Sequence, residues 1–174
     1  MRTTSNEVIK KMVSKLNLRD NSTLLEPSCG EGDILKFIFS QYNLERVKVT
    51  GIELNKERFE KCKNAFSGYS VHKNEFNIIN KDFLMMALTE QFDNIIAAPP
   101  FKANIDLSHI FHMYHYLKKK GFMSVLTSPF WVVNNEPHQV DFRKWLEKIP
   151  HNLEMLPDFS FEERGRSVPT AILS

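Results

Sequence analysis

The chain has 174 residues, a length that suits one domain with a complete hydrophobic core. A net charge of +2 is too small to indicate a nucleic-acid-binding protein by charge alone. The two cysteines, Cys29 and Cys62, lack a metal-binding spacing, so we expect free thiols in a reducing compartment. Residues 1–13 contain no signal-peptide core and no apolar run is long enough to cross a membrane. We therefore expect a cytoplasmic protein without membrane contacts.

Apolar runs typical of strands alternate along the chain with runs typical of helices. The T-x-x-E pattern of residues 4–7 predicts the start of a first helix, with Thr4 as its N-cap residue. Lysines 118–120 and Gly121 predict the C-terminus of a later helix. The predicted elements are, in chain order, helix "VIKKMVSKL", strand "STLLEP", helix "DILKFIFSQY", strand "VKVTGIEL", helix "NKERFEKCKNAF", strands "EFNIINKDFL" and "FDNIIAA", helix "DLSHIFHMYHYLKKKG", strand "FMSVLTS", helix "QVDFRKWLEKI", and strands "LEMLPD" and "SVPTAILS".

This alternation predicts an α/β fold with a doubly wound, mostly parallel sheet. The strands are short continuous apolar runs, as expected when helices cover both faces of a sheet. The charged loop "FSFEERGR" joins the last two strands without an intervening helix, so we expect an antiparallel C-terminal hairpin. Ligands of such sheets bind at the carboxyl ends of the strands, where the strand order reverses. The residues that follow each strand are therefore the candidates for function.

The first two strands are followed by residues typical of a nucleoside site. Gly30 and Gly32 form a G-x-G turn before a helix, where a backbone can approach a ligand closely. Leu35 occupies the third glycine position of the dinucleotide fingerprint, so the G-x-G by itself could be only a tight turn. Glu53 follows the second strand at the distance where an acidic residue accepts hydrogen bonds from ribose hydroxyls. A solvent-facing carboxylate is the alternative, but the combination favours a nucleoside cofactor.

The third and fourth strands end in two further candidates. Asp82 could accept a hydrogen bond from an adenine amino group while Phe83 lies against the ring; a simple helix N-cap is the alternative. After Ala98, the sequence Pro99–Phe101 predicts a stiff turn, because proline fixes its own φ and restricts the preceding residue. Such a turn presents backbone carbonyls and an aromatic ring, although a purely structural turn is the alternative.

Other polar and aromatic features have weaker signals. His109, His112 and His115 lack the i, i+4 spacing of helical zinc sites, so we expect surface or partly packed histidines and no metal. Two pairs of residues are expected on the ligand-binding edge of the sheet. Phe130 and Trp131 either form part of a target-base pocket or cap the core, and Arg164 and Arg166 either contact phosphates or belong to a solubilising loop.

As an ordered set, these motifs resemble the SAM-dependent amino methyltransferases, specifically the adenine-N6 branch. The family's order is an E-P-x-x-G-x-G turn, an acidic ribose residue, a D-F pair and N-P-P-F or N-P-P-Y. Here these are "EPSCGEG", "GIELN", "KDF" and "APPF". "TSNEVIKKMV" and "FEERGRSVPTAIL" are similar to the family's N-terminal segment and closing hairpin. The resemblance covers essentially the whole chain and implies a Rossmann-like SAM methyltransferase sheet, with residues 1–174 as one catalytic domain and no separate target-recognition domain.

The resemblance also implies S-adenosyl-L-methionine as cofactor and a role for each motif. Thr4 would lie near the methionine end, Glu53 would hold the ribose, and Asp82 with Phe83 would hold the adenine. Phe101 would stack on the target base, and the Pro99 carbonyl would accept a hydrogen bond from its amino group. The remaining implied residues are Glu26, Pro27, Ser28, Gly30 and Gly32 in the cofactor pocket, and Pro100 in the catalytic turn.

One residue departs from the family pattern. The family has Asn, or less often Asp or Ser, at the position of Ala98, and an alanine side chain cannot accept a hydrogen bond. Losing one preorganised transition-state partner costs about 3–4 kcal/mol, so we expect impaired catalysis with intact cofactor binding. A deliberate Asn-to-Ala inactivation and a natural loss of activity are the two origins we consider.

The implied function is methyl transfer to the exocyclic amino group of adenine in DNA, which requires the base to be flipped out of a duplex. The alternatives are an RNA adenine methyltransferase, a protein glutamine methyltransferase, and a catalytically silent module that binds SAM or nucleic acid. DNA is favoured over RNA as the partner. With no target-recognition domain in the sequence, we expect a partner chain, a homodimer or further C-terminal residues to supply target recognition.

Overall fold

A computed structural model of the chain describes residues 3–68, 73–87, 89–101, 104–157, 161–163, 166–167 and 169–174. For Thr3, 161–163 and 166–167 it describes the backbone alone. The helices are α1 (Asn6–Val13), α2 (Asp33–Gln41), α3 (Lys56–Phe66), α4 (Ile105–His115) and α5 (Pro137–Leu146). The strands are β1 (Thr3–Thr4), β2 (Thr23–Glu26), β3 (Lys48–Glu53), β4 (Glu75–Asn80), β5 (Phe92–Ala97), β6 (Leu117–Thr127), β7 (Leu153–Met155), β8 (Phe161–Glu163), β9 (Arg166–Ser167) and β10 (Ala171–Leu173). Within these ranges, no helix is long and apolar enough to cross a membrane.

The central sheet has seven strands in the order β4-β3-β2-β5-β6-β10-β7. Strands β2 to β6 pair in parallel, whereas β10 is antiparallel to both β6 and β7. The prediction of a mostly parallel, doubly wound sheet with an antiparallel C-terminal hairpin is therefore confirmed. The chain proceeds from β2 outward to β4 and then returns to β5, so the strand order reverses between β2 and β5.

Helices cover both faces of this sheet, and the side chains of each strand alternate between the two faces. Leu24 of β2 packs in one apolar cluster with residues of α1, α2 and α3. Leu25, the next residue, packs in a second cluster with residues of α4 and α5. Because successive side chains of a strand point to opposite faces, each buried strand joins the two clusters. The continuous apolar runs in the sequence follow from this two-sided burial.

A second, small sheet holds the N-terminus, and it corrects the predicted start of α1. Strand β1 pairs antiparallel with β8, with Thr4 opposite Phe161, and β8 pairs with β9. Thr4 therefore has a strand partner, and Ser5 is the N-cap residue, with its Oγ accepting from the Val8 N–H at 3.3 Å. The predicted Thr4 cap is wrong by one residue, because strand pairing holds Thr4 extended.

The segment from His115 to Gly121 differs from its prediction as well. Helix α4 ends at His115, and the lysines at 118–120 lie in β6 instead of at a helix end. Lys118 Nζ pairs with the Asp93 carboxylate of β5 at 2.9 Å. Gly121 passes so close to β5 that a Cβ there would lie 3.0 Å from the Asp93 carbonyl oxygen. Strand pairing thus overrides the local signals for a helix C-terminus, and the glycine serves a close backbone approach.

Candidate active site

A cavity of about 630 Å³ opens at the carboxyl edge of the sheet, where the strand order reverses. The ends of β2, β3 and β4, the turn after β5 and helix α4 all contribute to it. The lining residues are Thr4, Glu26, Pro27, Ser28, Cys29, Gly30, Glu31, Asp33, Ile34, Glu53, Leu54, Asn55, Lys56, Arg58, Lys81, Asp82, Phe83, Ala98, Pro100 and His109. The structure therefore brings together the residues that follow four different strands.

The turn after β2 is fastened to the end of β3 through a carboxylate. Gly30 has φ of +57°, and its N–H donates to Glu53 Oε2 at 2.8 Å. Glu53 Oε1 accepts from the Asn55 N–H at 2.7 Å. Each carboxylate oxygen has two acceptor sites, so one site per oxygen remains for a further donor. Glu53 can therefore orient the glycine turn and still accept hydrogen bonds from two hydroxyl groups.

Gly32 contributes to this site through packing between helices. It precedes α2 with φ of +86°, and a Cβ there would lie 2.9 Å from both Cys62 Sγ and Phe66 Cε2 of α3. The cavity lining includes Gly30 but not Gly32. Cys29 and Cys62 are both free and buried. The second glycine of the G-x-G therefore lets α2 start close to α3, because no side chain fits between them.

Glu26 is the most buried carboxyl group of the site. Its side chain is at the end of β2, 1% exposed, and its Oε2 has no hydrogen-bond partner among the described residues. Burial raises the pKa of Glu26 well above its usual range, and nearby Cys62, Asp33 and Glu53 raise it further. An ionised carboxylate is costly in such a place unless a cation or donors approach it. The cavity therefore holds an unsatisfied acceptor suited to a positively charged group.

The pair after β4 lines the cavity, and Asp82 also has the helix N-cap role that was one of its two predicted alternatives. Asp82 lines the cavity, and its Oδ1 also accepts from the Leu84 N–H at 3.0 Å, capping a single helical turn at Phe83–Met85. Phe83 reaches the cavity although most of its ring is buried against the imidazoles of His109 and His112, at centroid distances of 5.5 Å and 4.7 Å. Packing thus fixes both residues before any ligand enters.

The turn after β5 meets the cavity at two of its residues. Ala98 and Pro100 line the cavity, while Pro99 is buried and stands outside the lining. Phe101 is half-buried and packs against the cluster that contains α1 and α2. The side chain that borders the cavity at the end of β5 is therefore a methyl group.

His109 enters the cavity from α4. Its side chain is 7% exposed, and its Nδ1 lies 3.4 Å from Ser28 Oγ. Burial lowers the pKa of His109 to about 4, with the charge of Asp82 opposing the shift, so the imidazole is neutral near pH 7. His112 Nε2 contacts the Met86 carbonyl at 2.9 Å and His115 Nδ1 contacts the Phe111 carbonyl at 2.7 Å. Among the described residues, no group of three His, Cys, Asp or Glu side chains could hold a metal.

Phe130 and Trp131, in the turn after β6, were each predicted either to form part of a target-base pocket or to cap the core, and the structure places them in different environments. Trp131 is buried against Phe142, and its Nε1–H donates to Thr127 Oγ1 at 3.1 Å, so it caps the core. Phe130 is 50% exposed. Arg164 lies outside the described residues, and for Arg166 only the backbone in β9 is described. Neither arginine can therefore be placed against a ligand, and their phosphate contacts stay a prediction.

A buried carboxylate connects the turns after β5 and β6. Asp106, in the first turn of α4, accepts from Thr127 Oγ1 at 2.9 Å and from the Ser128 N–H at 3.0 Å. Burial raises the pKa of Asp106, and these hydrogen bonds oppose the rise. These two hydrogen bonds, the Asp106 brace, fix the start of α4 relative to the end of β6.

Several cavity residues were not among the predicted site residues. Leu54 and Asn55 follow Glu53 directly, and the position after a strand end was a signal that could have identified them. His109 was expected at the surface or partly packed, and its contact with Ser28 depends on tertiary packing. The others that the sequence did not single out are Cys29, Glu31, Asp33, Ile34, Lys56, Arg58 and Lys81.

The fold and the site define a Rossmann-like enzyme class with a ligand cavity at the reversal point of the sheet. Residues 3–112 match the family model described as N-6 DNA Methylase. The chain belongs to this family. Over 79 residues, which are 45% of this chain and 19% of the relative, it is 33% identical to modification methylase CviBIII of Paramecium bursaria Chlorella virus NC1A.

Solved structures show the same fold. The methyltransferase subunit of a type I restriction-modification system from Streptococcus thermophilus has a TM-score of 0.81 and 19% identity, covering 99% of this chain and 44% of that one. A SAM-dependent O-methyltransferase from Thermotoga maritima has a TM-score of 0.67 and 15% identity, covering 99% of this chain and 66% of that one. The chain thus spans less than half the length of the viral methylase and of the Streptococcus subunit.

Proposed function

We propose that the protein is a SAM-dependent methyltransferase that acts on the exocyclic amino group of adenine in DNA, with residues 1–174 forming one catalytic domain. The observation that carries this proposal is the single cavity shared by Glu26, Glu53 and Asp82 on one side and the Ala98–Pro100 turn on the other. Membership of the N-6 DNA methylase family supports the adenine amino group and DNA as the target.

The cavity residues fit S-adenosyl-L-methionine by charge and by size. The cofactor carries a sulfonium and an ammonium group, and the unpartnered Oε2 of Glu26 is a buried acceptor for a cation. Glu53 has free acceptor sites for the ribose hydroxyls, and Asp82 with Phe83 would hold the adenine. Thr4, Pro27, Ser28 and Gly30 complete the pocket. A volume of about 630 Å³ lies within the range of roughly 300–1,000 Å³ typical of small-molecule sites.

In this proposal, the bound cofactor supplies an electrophilic methyl group, and the protein supplies position and hydrogen-bond acceptors. The lone pair of the adenine amino nitrogen is delocalised into the ring, so the nitrogen is a weak nucleophile. Acceptors that draw its N–H bonds out of the ring plane localise the lone pair. In the proposal, the Pro99 carbonyl would be one such acceptor, with its direction restricted by the two prolines, and Phe101 would stack on the target base.

A target adenine inside a duplex would have to be flipped out to enter this cavity. We propose DNA rather than RNA as the polymer, because the matching family is one of DNA methylases. Phe130, half exposed at the end of β6, is the aromatic side chain of that edge available to nucleic acid. A partner chain, a second copy of this chain or a segment outside these 174 residues would supply recognition of the target sequence.

Ala98 favours a second candidate function, a silent domain that binds the cofactor without methyl transfer. The side chain at this position cannot accept a hydrogen bond, while Glu26, Glu53 and Asp82 all line the side proposed for the cofactor. Calorimetric titration of SAM, followed by transfer of labelled methyl groups to DNA and RNA by the natural chain and by Ala98→Asn, separates the two. Binding with transfer in either chain supports the enzyme; binding with no transfer in either supports the silent domain. Absence of SAM binding would contradict both.

A further inference from the structure

Because Ala98 has only a methyl group, position 98 provides no hydrogen-bond acceptor for the target amino group. Another residue of the cavity lining is a candidate for this role. Adjacent strands fix the neighbourhood of Ala98: in β2 and β5, Leu24 lies beside Asn94 and Leu25 beside Ile95. Ser28 and Ala98 follow the ends of these two neighbouring strands, by two residues and by one residue. Both residues line the cavity. The hydroxyl of Ser28 is therefore a polar group that the strand next to β5 contributes to the cavity at its carboxyl end.

The other acceptors of the cavity are farther from Ala98 or less accessible. In the strand order β4-β3-β2-β5, Glu53 lies two strands from β5 and Asp82 lies three strands away. Both carboxylates also accept backbone N–H groups, Glu53 those of Gly30 and Asn55, and Asp82 that of Leu84. Glu26 lies on β2, but it is 1% exposed. Ser28 is therefore the candidate acceptor that follows the neighbouring strand.

His109 gives the Ser28 hydroxyl a defined orientation. Its Nδ1 lies 3.4 Å from Ser28 Oγ, and contact with Phe83 restricts the ring. Because the imidazole is neutral near pH 7, Nδ1 can accept the Ser28 O–H when Nε2 carries the proton. The hydroxyl proton then points toward α4, and both lone pairs of Oγ remain for other donors.

We propose that Ser28 Oγ, oriented by His109, accepts the hydrogen bond from the target amino group that the asparagine of the N-P-P-F motif accepts in the family. This inference rests on the proposed function. Ser28 keeps its own proton and acts as an acceptor that touches the substrate, while His109 acts as a positioning residue. The Ser28–His109 pair and the Pro99 carbonyl would then provide the two acceptors that the reaction needs.

A double-mutant cycle between Ser28→Ala and Ala98→Asn tests the proposal. With SAM saturating for each variant, kcat is measured on an oligonucleotide methylated by the Ala98→Asn protein. We expect Ser28→Ala to lower kcat by about tenfold in the natural chain, the effect of one hydrogen bond, and by less than about threefold in the Ala98→Asn background, where the new side chain supplies the acceptor. His109→Asn, whose Oδ1 can replace Nδ1, should retain more activity than His109→Phe.

A binding measurement gives a second readout that does not need turnover. With S-adenosylhomocysteine bound, the natural chain should prefer an oligonucleotide with adenine over one with purine, which lacks the amino group, at the target position. Ser28→Ala should reduce this preference, whereas Ala98→Asn should increase it. Equal affinities of the natural chain and Ser28→Ala for both oligonucleotides would show that Ser28 does not contact the amino group.

The outcomes separate this inference from the proposed function. An equal fall in kcat on Ser28→Ala in both backgrounds would mean that Ser28 acts through the cofactor turn, and would overturn the inference. An inactive natural chain with an active Ala98→Asn variant would also overturn it, while leaving the proposed function intact. If no variant binds SAM, the proposed function fails, and the inference fails with it.

Discussion

The two sides of the cavity are stabilised in different ways. On the side of β2, β3 and β4, carboxylates accept backbone N–H groups: Glu53 those of Gly30 and Asn55, and Asp82 that of Leu84. On the side of β5 and β6, the cavity meets the methyl group of Ala98 and the ring of Pro100. The carboxylate on that side, Asp106, is directed into the brace with Thr127 and Ser128. The side proposed for the cofactor therefore has carboxylate acceptors, whereas position 98 on the side proposed for the target base has none, and that side depends on Ser28 in our proposal.

The largest expected effect comes from restoring the missing acceptor. We expect Ala98→Asn to raise kcat by on the order of a hundredfold without changing SAM affinity, because a preorganised acceptor at the reacting nitrogen contributes more than the roughly tenfold expected from the Ser28 hydroxyl. Steady-state methyl transfer and SAM calorimetry measure the two quantities. Ala98→Val, which adds bulk without an acceptor, is the control. A similar gain in Ala98→Val, or no gain in Ala98→Asn, would argue against the proposed role of position 98.

A smaller effect is expected on the opposite side of the cavity, from neutralising Glu26. Glu26→Gln should weaken SAM binding by roughly ten- to a hundredfold, since a hydrogen bond to a charged group contributes about 1.5–3 kcal/mol. The same substitution should raise the melting temperature of the cofactor-free protein at pH 7, because it removes a buried carboxylate without a partner. Weaker SAM binding together with a higher melting temperature would indicate that the Glu26 carboxylate contributes to ligand binding at the expense of stability.

The pH dependence of stability tests the same residue. The pKa of Glu26 is raised in the folded protein, so its contribution favours folding most below the unfolded pKa of about 4.3. That contribution is lost as pH rises through the higher folded value, and Glu26→Gln should remove this part of the pH profile. Glu57→Gln, an exposed carboxylate with the same change in net charge, is the control. Identical profiles for both variants would contradict the buried-charge interpretation.

The sequence predicted the cofactor side more completely than the target side, for a physical reason. Gly30, Glu53 and Asp82 lie at or shortly after the ends of β2, β3 and β4, and that placement can be read from local patterns. The Ser28–His109 contact and the Asp106 brace join residues far apart in the chain, so only tertiary packing reveals them. The lysines at 118–120 had the local chemistry of a helix end, but pairing with β5 placed them in a strand.

Substitutions of two glycines separate the cost of poor packing from the cost of backbone strain. Gly32→Ala should destabilise the fold by about 1–3 kcal/mol, because its Cβ would meet Cys62 and Phe66 and its φ of +86° disfavours a side chain. Gly68→Ala is a matched control, since its φ is +80° and a Cβ there would have nothing within 4 Å. Denaturant unfolding should show a clearly larger loss for Gly32→Ala, and equal losses would remove the packing argument.

The smallest expected effect lies at the opposite end of the sheet from the cavity, where Asp93 joins β5 to β2 and β6. Burial raises the pKa of Asp93, but hydrogen bonds from Lys118 and Thr23 outweigh it and hold the pKa below the usual range. Its contribution to stability is therefore present above the unfolded pKa of about 3.9 and is lost as pH falls through the lower folded value.

Because Asp93 is partly exposed to solvent, with 22% of its side chain accessible, Asp93→Asn should cost only about 1 kcal/mol at pH 7, with a smaller difference from the natural chain near pH 3. Glu75→Gln breaks the exposed contact with Lys48 and should cost less, since both of its side chains are well solvated. Neither substitution should alter SAM affinity, because neither residue lines the cavity. A change in SAM affinity for Asp93→Asn would mean that the two ends of the sheet are coupled, contrary to the separation that the strand positions imply.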